Sequence, residues 1–167
     1  MKKLFLSACI LISCVAHAAI DAQHSFEGPK VPDFLSVNGE GSLCLSGDRF
    51  KDGASSLKFS WKGAAEIVFS NYEDIKASME VNGAGLMMWV YCSEPLNGPV
   101  EFMFLDWEMN AVCSFDFVAD FQGWRTIRLK YTDMQLPDGR YYGDLQRKDR
   151  KTDVAGMVIR MPESEKE

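Results

Sequence analysis

The groups best suited to hold a charged, ring-bearing polymer cluster in one stretch. Arg140, Tyr141 and Tyr142 are followed closely by Arg147, Lys148, Arg150 and Lys151. Aromatic rings stack on sugar faces, and guanidinium groups take sulfates and carboxylates two-pronged. Trp107 and the pair Trp124-Arg125 offer the same combination of ring and cation. These residues are the candidates for carbohydrate binding. The alternative is a solvated loop whose positive run is interrupted by Asp144 and Asp149. Trp61 and Trp89 are read instead as core, because their strand neighbours place them on apolar faces.

Catalytic groups are sparse. Asp106 with Glu108, and Asp116 with Asp120, are the nearest approach to the paired carboxylates of glycoside hydrolysis. Residues at i and i+2 share a strand face, but the simpler reading is solvated turn and edge positions. The two histidines, His17 and His24, both lie near the N-terminus. Neither is in a segment that would position a base. The sequence has no Gly-x-Ser-x-Gly elbow, no His-Glu-x-x-His helix and no phosphate-cradling glycine loop. Cys44, Cys92 and Cys113 show neither Cys-x-x-Cys nor zinc spacing. They are expected to be buried thiols, with one disulfide plus one free thiol as the alternative.

The elements that must position these groups read as short strands. Candidate strands cover 42–46, 55–61, 65–70, 85–92, 99–105, 112–119, 124–131 and 153–161. In 55–61, Leu57, Phe59 and Trp61 alternate with Ser56, Lys58 and Ser60. In 124–131, Ile127, Leu129 and Tyr131 alternate with Thr126, Arg128 and Lys130. Period-two alternation is the mark of a half-buried strand. The run 85–92 is nearly all apolar, as a strand covered on both faces would be. Lys62-Gly63 is expected to be a turn, 72–80 a short helix or an excursion, and 137–152 a long loop at one end. No segment keeps an apolar period of 3.6 for a dozen residues. The pattern predicts an all-β fold, a sandwich or barrel.

Residues 1–18 read as a secretory signal peptide: Lys2 and Lys3, an apolar run over 4–15, then Ala16-His17-Ala18. Cleavage is expected after Ala18, leaving 19–167 as a single domain in a secreted or periplasmic, bacterial setting. A competing reading puts a lipid on Cys14, after Leu11-Ile12-Ser13. The apolar run is too short to cross a bilayer, so no transmembrane segment is expected. The formal charge over 167 residues is −6, and removing two lysines makes the remainder more acidic. That argues against nucleic acid as a partner.

Three stretches, in order, resemble the N-terminal domain of the chondroitin sulfate ABC lyases of polysaccharide lyase family 8. They are LSGDRFKDGASSLKFSWKG over 45–63, LMMWVYCSEPLNGP over 86–99, and FVADFQGWRTIRL over 117–129. The resemblance covers roughly 25–162. It implies a jelly-roll β-sandwich of the galactose-binding-like or carbohydrate-binding-module-like kind. It also implies a helical catalytic toroid in the full enzyme, which degrades glycosaminoglycans by β-elimination. On that reading this chain is a non-catalytic accessory module. Its expected partners are chondroitin or dermatan sulfate and the lyase catalytic domain. The alternative is a free-standing secreted binding or adhesion protein with another ligand.

The family's domain continues with a further strand, so the sandwich is expected to want its last strand and to show an open edge. The resemblance also implies a structural calcium or sodium near Glu27, Asp52 and Gly53. Its closing aspartate would fall beyond Glu167, so that site is expected to be incomplete.

Overall fold

In a computed structural model, the chain is described over residues 2–7, 26–70, 75, 76, 79, 83–150 and 154–163; for 2–7 and Arg147 the backbone alone is described. The expectations placed on Cys14, His17, Ala18, His24 and Lys151 lie outside the described residues.

Among the described residues eight strands make the fold: β1 (Lys2–Ser7), β2 (Leu35–Ser46), β3 (Ser56–Phe69), β4 (Gly85–Cys92), β5 (Pro99–Leu105), β6 (Ala111–Val118), β7 (Gly123–Lys130) and β8 (Gly156–Arg160). All pairings are antiparallel. The hydrogen-bonded order is β6-β5-β8-β3-β1-β4-β7, with β2 on the other edge of β3. β3 is the spine. Its first half carries β1, β4 and β7, and its second half carries β8, β5 and β6. The protein is an all-β sandwich.

The expected turn at Lys62-Gly63 is not a turn. β3 runs straight through it, and the register with β2 slips between Gly39 and Gly41. Gly39 has φ 85°, and a Cβ there would collide with the Ala64 carbonyl. The irregularity is thus a bulge, which bends a strand without ending it. The sequence signal of a glycine was real, but the backbone used it for a kink.

Period-two burial builds the core. Leu57, Phe59 and Trp61 of β3 join Met88, Val90 and Cys92 of β4 in one apolar cluster. Phe102 and Phe104 of β5 and Met157 and Ile159 of β8 belong to the same cluster. Phe59 and Trp61 stack at 5.4 Å between centroids, and Phe104 meets Tyr131 edge-on at 5.5 Å. Trp61 also donates its indole N–H to the Pro162 carbonyl at 3.1 Å. From the stretch 72–80, Ile75, Lys76 and Met79 are described as helical, with Ile75 and Met79 buried in the core.

The thiols divide. Cys92 and Cys113 are buried, whereas Cys44 is exposed on β2, against the expectation of three buried thiols. Burial pushes Cys92 up to about 11, an effect Arg125 partly opposes, and pushes Cys113 up to about 12. A thiol held protonated is a poor nucleophile. Of these three thiols, a thiol-specific reagent will therefore label only Cys44 in the native protein. Cys92 and Cys113 will react only on unfolding, so mass spectrometry will read one adduct from these three before denaturant and three after it.

Candidate carbohydrate-binding face

The polar loop after β7 is docked onto β6. Ser114 and Gln135 exchange two backbone hydrogen bonds at 2.8 Å, which covers part of the β6 edge. Tyr142 N–H donates to Met134 O at 2.8 Å, and both side chains are buried. Tyr142 is 1% exposed, so its ring belongs to the core. Desolvation raises its phenol to about 12, as burial should.

Two cations of this loop, Arg140 and Arg150, are occupied. Arg140 donates to Asp138 from Nε at 2.9 Å and from NH2 at 2.7 Å. That pairing holds the Asp138 carboxyl below its ordinary range. Arg150 folds back onto the carbonyls of Leu145 and Gly143, both at 3.2 Å. A cleft of about 470 Å³ lies between loop and sheet, with Val112, Leu136 and Tyr142 in its walls. Asp138, Arg140 and Asp149 also line it; with Asp138 and Arg140 paired, Asp149 leaves the lining net negative, which disfavours a sulfated or carboxylated guest. Tyr141 and Lys148 are exposed, and the Arg147 side chain lies outside the described residues.

The remaining candidates are spread. Trp107 is 58% exposed on the β5–β6 turn, apart from the loop in sequence. Asp106 Oδ1 accepts from the N–H groups of Glu108 and Asn110, so this carboxylate holds the turn. Asp116 stands opposite Glu101 in the β5–β6 register, and Asp120 pairs with Arg125 at 3.1 Å. Arg125 also lies over the Phe121 ring at 4.2 Å.

Glu27, Asp52 and Gly53 do come together. The Glu27 carboxylate accepts from Ala54 N–H at 3.0 and 3.1 Å and from Ser55 N–H at 3.1 Å. Gly53, at φ 74°, lets the turn approach so closely that a Cβ would strike the Glu27 carboxylate. Asp52 accepts from the Gly53 N–H at 3.0 Å. Among the described residues no group of three or more His, Cys, Asp or Glu could hold a metal. The Glu27 carboxylate accepts these backbone N–H groups and so ties the N-terminal lead to the β2–β3 turn.

The strongest ring-and-cation arrangement lies elsewhere, on the outer face of β4 and β7. β4 alternates strictly: Leu86, Met88, Val90 and Cys92 are buried, while Met87, Trp89 and Tyr91 are half-buried on the opposite side. Trp89 is thus not core. Across the ladder Tyr91 stands opposite Trp124, Trp89 opposite Thr126 and Met87 opposite Arg128. The rings of Tyr91 and Trp124 meet edge-on at 5.3 Å. The Arg49 guanidinium sits 5.4 Å from the Tyr91 ring centre. Arg128 is exposed and has no ion-pair partner among the described residues. A groove of about 460 Å³, lined by Met87, Arg128 and Lys130, opens at the end of this face.

Sequence reading found Trp124 but missed Trp89, Tyr91, Arg49 and Arg128. The signal was available. Trp89 and Tyr91 are two apart, and the same two-residue step puts Trp124 and Arg128 on one side of β7. An unbroken apolar run hid the alternation on β4.

The two-layer β fold thus carries an aromatic and cationic outer face. The chain belongs to the family described as "Lyase, N terminal", whose model matches residues 21–166. It is 32% identical over 124 residues to the chondroitin sulfate ABC exolyase of Proteus vulgaris. That match covers 72% of this chain and 12% of the relative, so the chain spans a small part of the enzyme it resembles. Among the described residues no helix is long and apolar enough to cross a membrane.

Proposed function

We propose that this chain is the non-catalytic N-terminal module of a secreted lyase acting on chondroitin or dermatan sulfate. The proposed face on β4 and β7 holds a stretch of the polymer while a separate catalytic domain cleaves it. The observation that carries this reading is the row Trp89, Tyr91 and Trp124 flanked by Arg49 and Arg128. Rings suit the apolar faces of sugars, and the arginines suit sulfate and carboxylate. The relative's printed name, a chondroitin sulfate lyase, supplies the substrate class.

β-Elimination next to a uronate needs a base for the C5 proton, an acid for the leaving oxygen and a group that neutralises the carboxylate. The work proposed for the row of rings and arginines is binding, with these steps left to the separate catalytic domain. Calorimetric titration with chondroitin sulfate, dermatan sulfate and hyaluronan tests both halves of the proposal. Sub-millimolar binding to a sulfated polymer is expected, with no growth of the ultraviolet absorbance of unsaturated product. Failure of all three polymers to bind would remove the positioning role. Growing absorbance would make the chain an enzyme.

A further inference from the structure

The outer face of β4 and β7 is laid out as a track. Four rungs cross it: Tyr91 with Trp124, Trp89 with Thr126, Met87 with Arg128, and Gly85 with Lys130. Successive rungs are two residues apart, a step of about 7 Å along the strands. Arg128 therefore lies about 13 Å from Trp124 along β7, and Lys130 about 20 Å.

The two ends differ in chemistry. At one end the Tyr91 and Trp124 rings meet, with the Arg49 guanidinium near Tyr91. At the other lies the groove of about 460 Å³. Gly85 stands opposite Lys130 there, and a Cβ on it would strike the Leu129 carbonyl, so this rung keeps a floor of bare backbone. Arg128, Lys130 and Asp133 are the charged residues of the lining, which is therefore net positive. Arg128 and Lys130 are both exposed, and neither has an ion-pair partner among the described residues.

Charge favours the strand direction as the axis of a bound polyanion. Across the sheet, the rung of Tyr91 continues through β1 to Lys58 of β3. That ammonium is 3.7 Å from Asp48, and its side chain is only 21% exposed. On the other half of the sheet Arg160 is held between Glu66 and Glu101, each at 2.8 Å, and Asp116 stands opposite Glu101. That rung is net negative and repels a polyanion. β7 ends the strand order, so its outer edge is open among the described residues.

We propose that a sulfated glycosaminoglycan lies along β4 and β7, with one sugar on the Tyr91–Trp124 rings and an anionic group of the next repeat in the Arg128–Lys130 groove. One disaccharide repeat does not cover that span; two do. The smallest ligand that uses the whole track is a tetrasaccharide, so the module grips polymer and releases disaccharide. This rests on the outer face being the binding face, and adds to that reading the axis, the length and a separate task for the groove.

Calorimetric titration of the whole chain with chondroitin sulfate polymer and its di-, tetra- and hexasaccharides tests the track. Joining two subsites through one ligand compounds their affinities, so the tetrasaccharide is expected to bind at least about tenfold more tightly than the disaccharide. The hexasaccharide reaches no third subsite and should gain no more than about threefold. Arg128→Gln combined with Lys130→Gln should abolish the tetrasaccharide's advantage and flatten its dependence on salt, while disaccharide binding stays where it was. Both side chains are exposed, so the fold should survive the change. If the polymer does not bind, the proposed function and the track fall together. If the polymer binds but the disaccharide binds as tightly as the tetrasaccharide, or the double variant weakens both alike, only the track is overturned.

Discussion

Trp61→Ala will lose about 3–5 kcal/mol of stability, the usual cost of deleting a buried aromatic side chain. For a protein of this size that lowers the melting temperature by on the order of 10 °C. Three losses coincide at this residue. Its ring is 1% exposed, it stacks on Phe59, and its indole N–H ties the end of β8 to β3 through Pro162. A Trp61→Phe variant separates these. It keeps an aromatic ring in the core but removes the donor, and should cost only about 1 kcal/mol beyond any repacking. Chemical denaturation of both variants against the parent measures the difference. Equal losses would mean that the hydrogen bond to Pro162, not the stacked ring, dominates.

Trp89→Ala combined with Trp124→Ala will weaken the proposed binding of a sulfated glycosaminoglycan by about 2 kcal/mol, roughly thirtyfold. Both side chains are half-buried on the outer face, so the fold should survive their truncation. Near-ultraviolet circular dichroism from the buried aromatics reports on that separately. Arg128→Ala should weaken binding less and should also flatten its dependence on salt, because a charge contact to the polymer is screened by ions. Trp107→Ala should leave affinity unchanged, since that ring stands on the β5–β6 turn, which the outer-face row does not include. A drop in affinity confined to Trp107→Ala would move the site to the turn.

The fold was legible wherever side chains alternate. Leu57, Phe59 and Trp61 announced β3, and Leu129 and Tyr131 announced the inner side of β7, because a one-residue slip would turn each set to water. The alternation could not show that β3 passes through Gly63, since a bulge and a turn use the same residue and differ only in what the neighbouring strand does. The site was harder. A run of Arg, Lys and Tyr reads as a ligand loop, yet Asp138 takes Arg140 and the core takes Tyr142. Charges two residues apart in a tight turn neutralise one another, and a count of cations does not register that. The outer face escaped for the opposite reason. Its members come from β4, β7 and the β2–β3 turn, and only strand pairing brings Arg49, Tyr91 and Trp124 together. Family resemblance pointed to the class of protein, but not to these side chains.

The four tryptophans mark four environments: Trp61 in the core, Trp107 on a turn, and Trp89 and Trp124 at separate points of the outer face. Each gives one indole N–H signal in a nitrogen-edited NMR spectrum. Titration with a chondroitin sulfate oligosaccharide should shift the signals of Trp89 and Trp124 together along one binding curve, while those of Trp61 and Trp107 stay in place. Movement of Trp107 with Trp89 and Trp124 unchanged would contradict the assignment of the binding face.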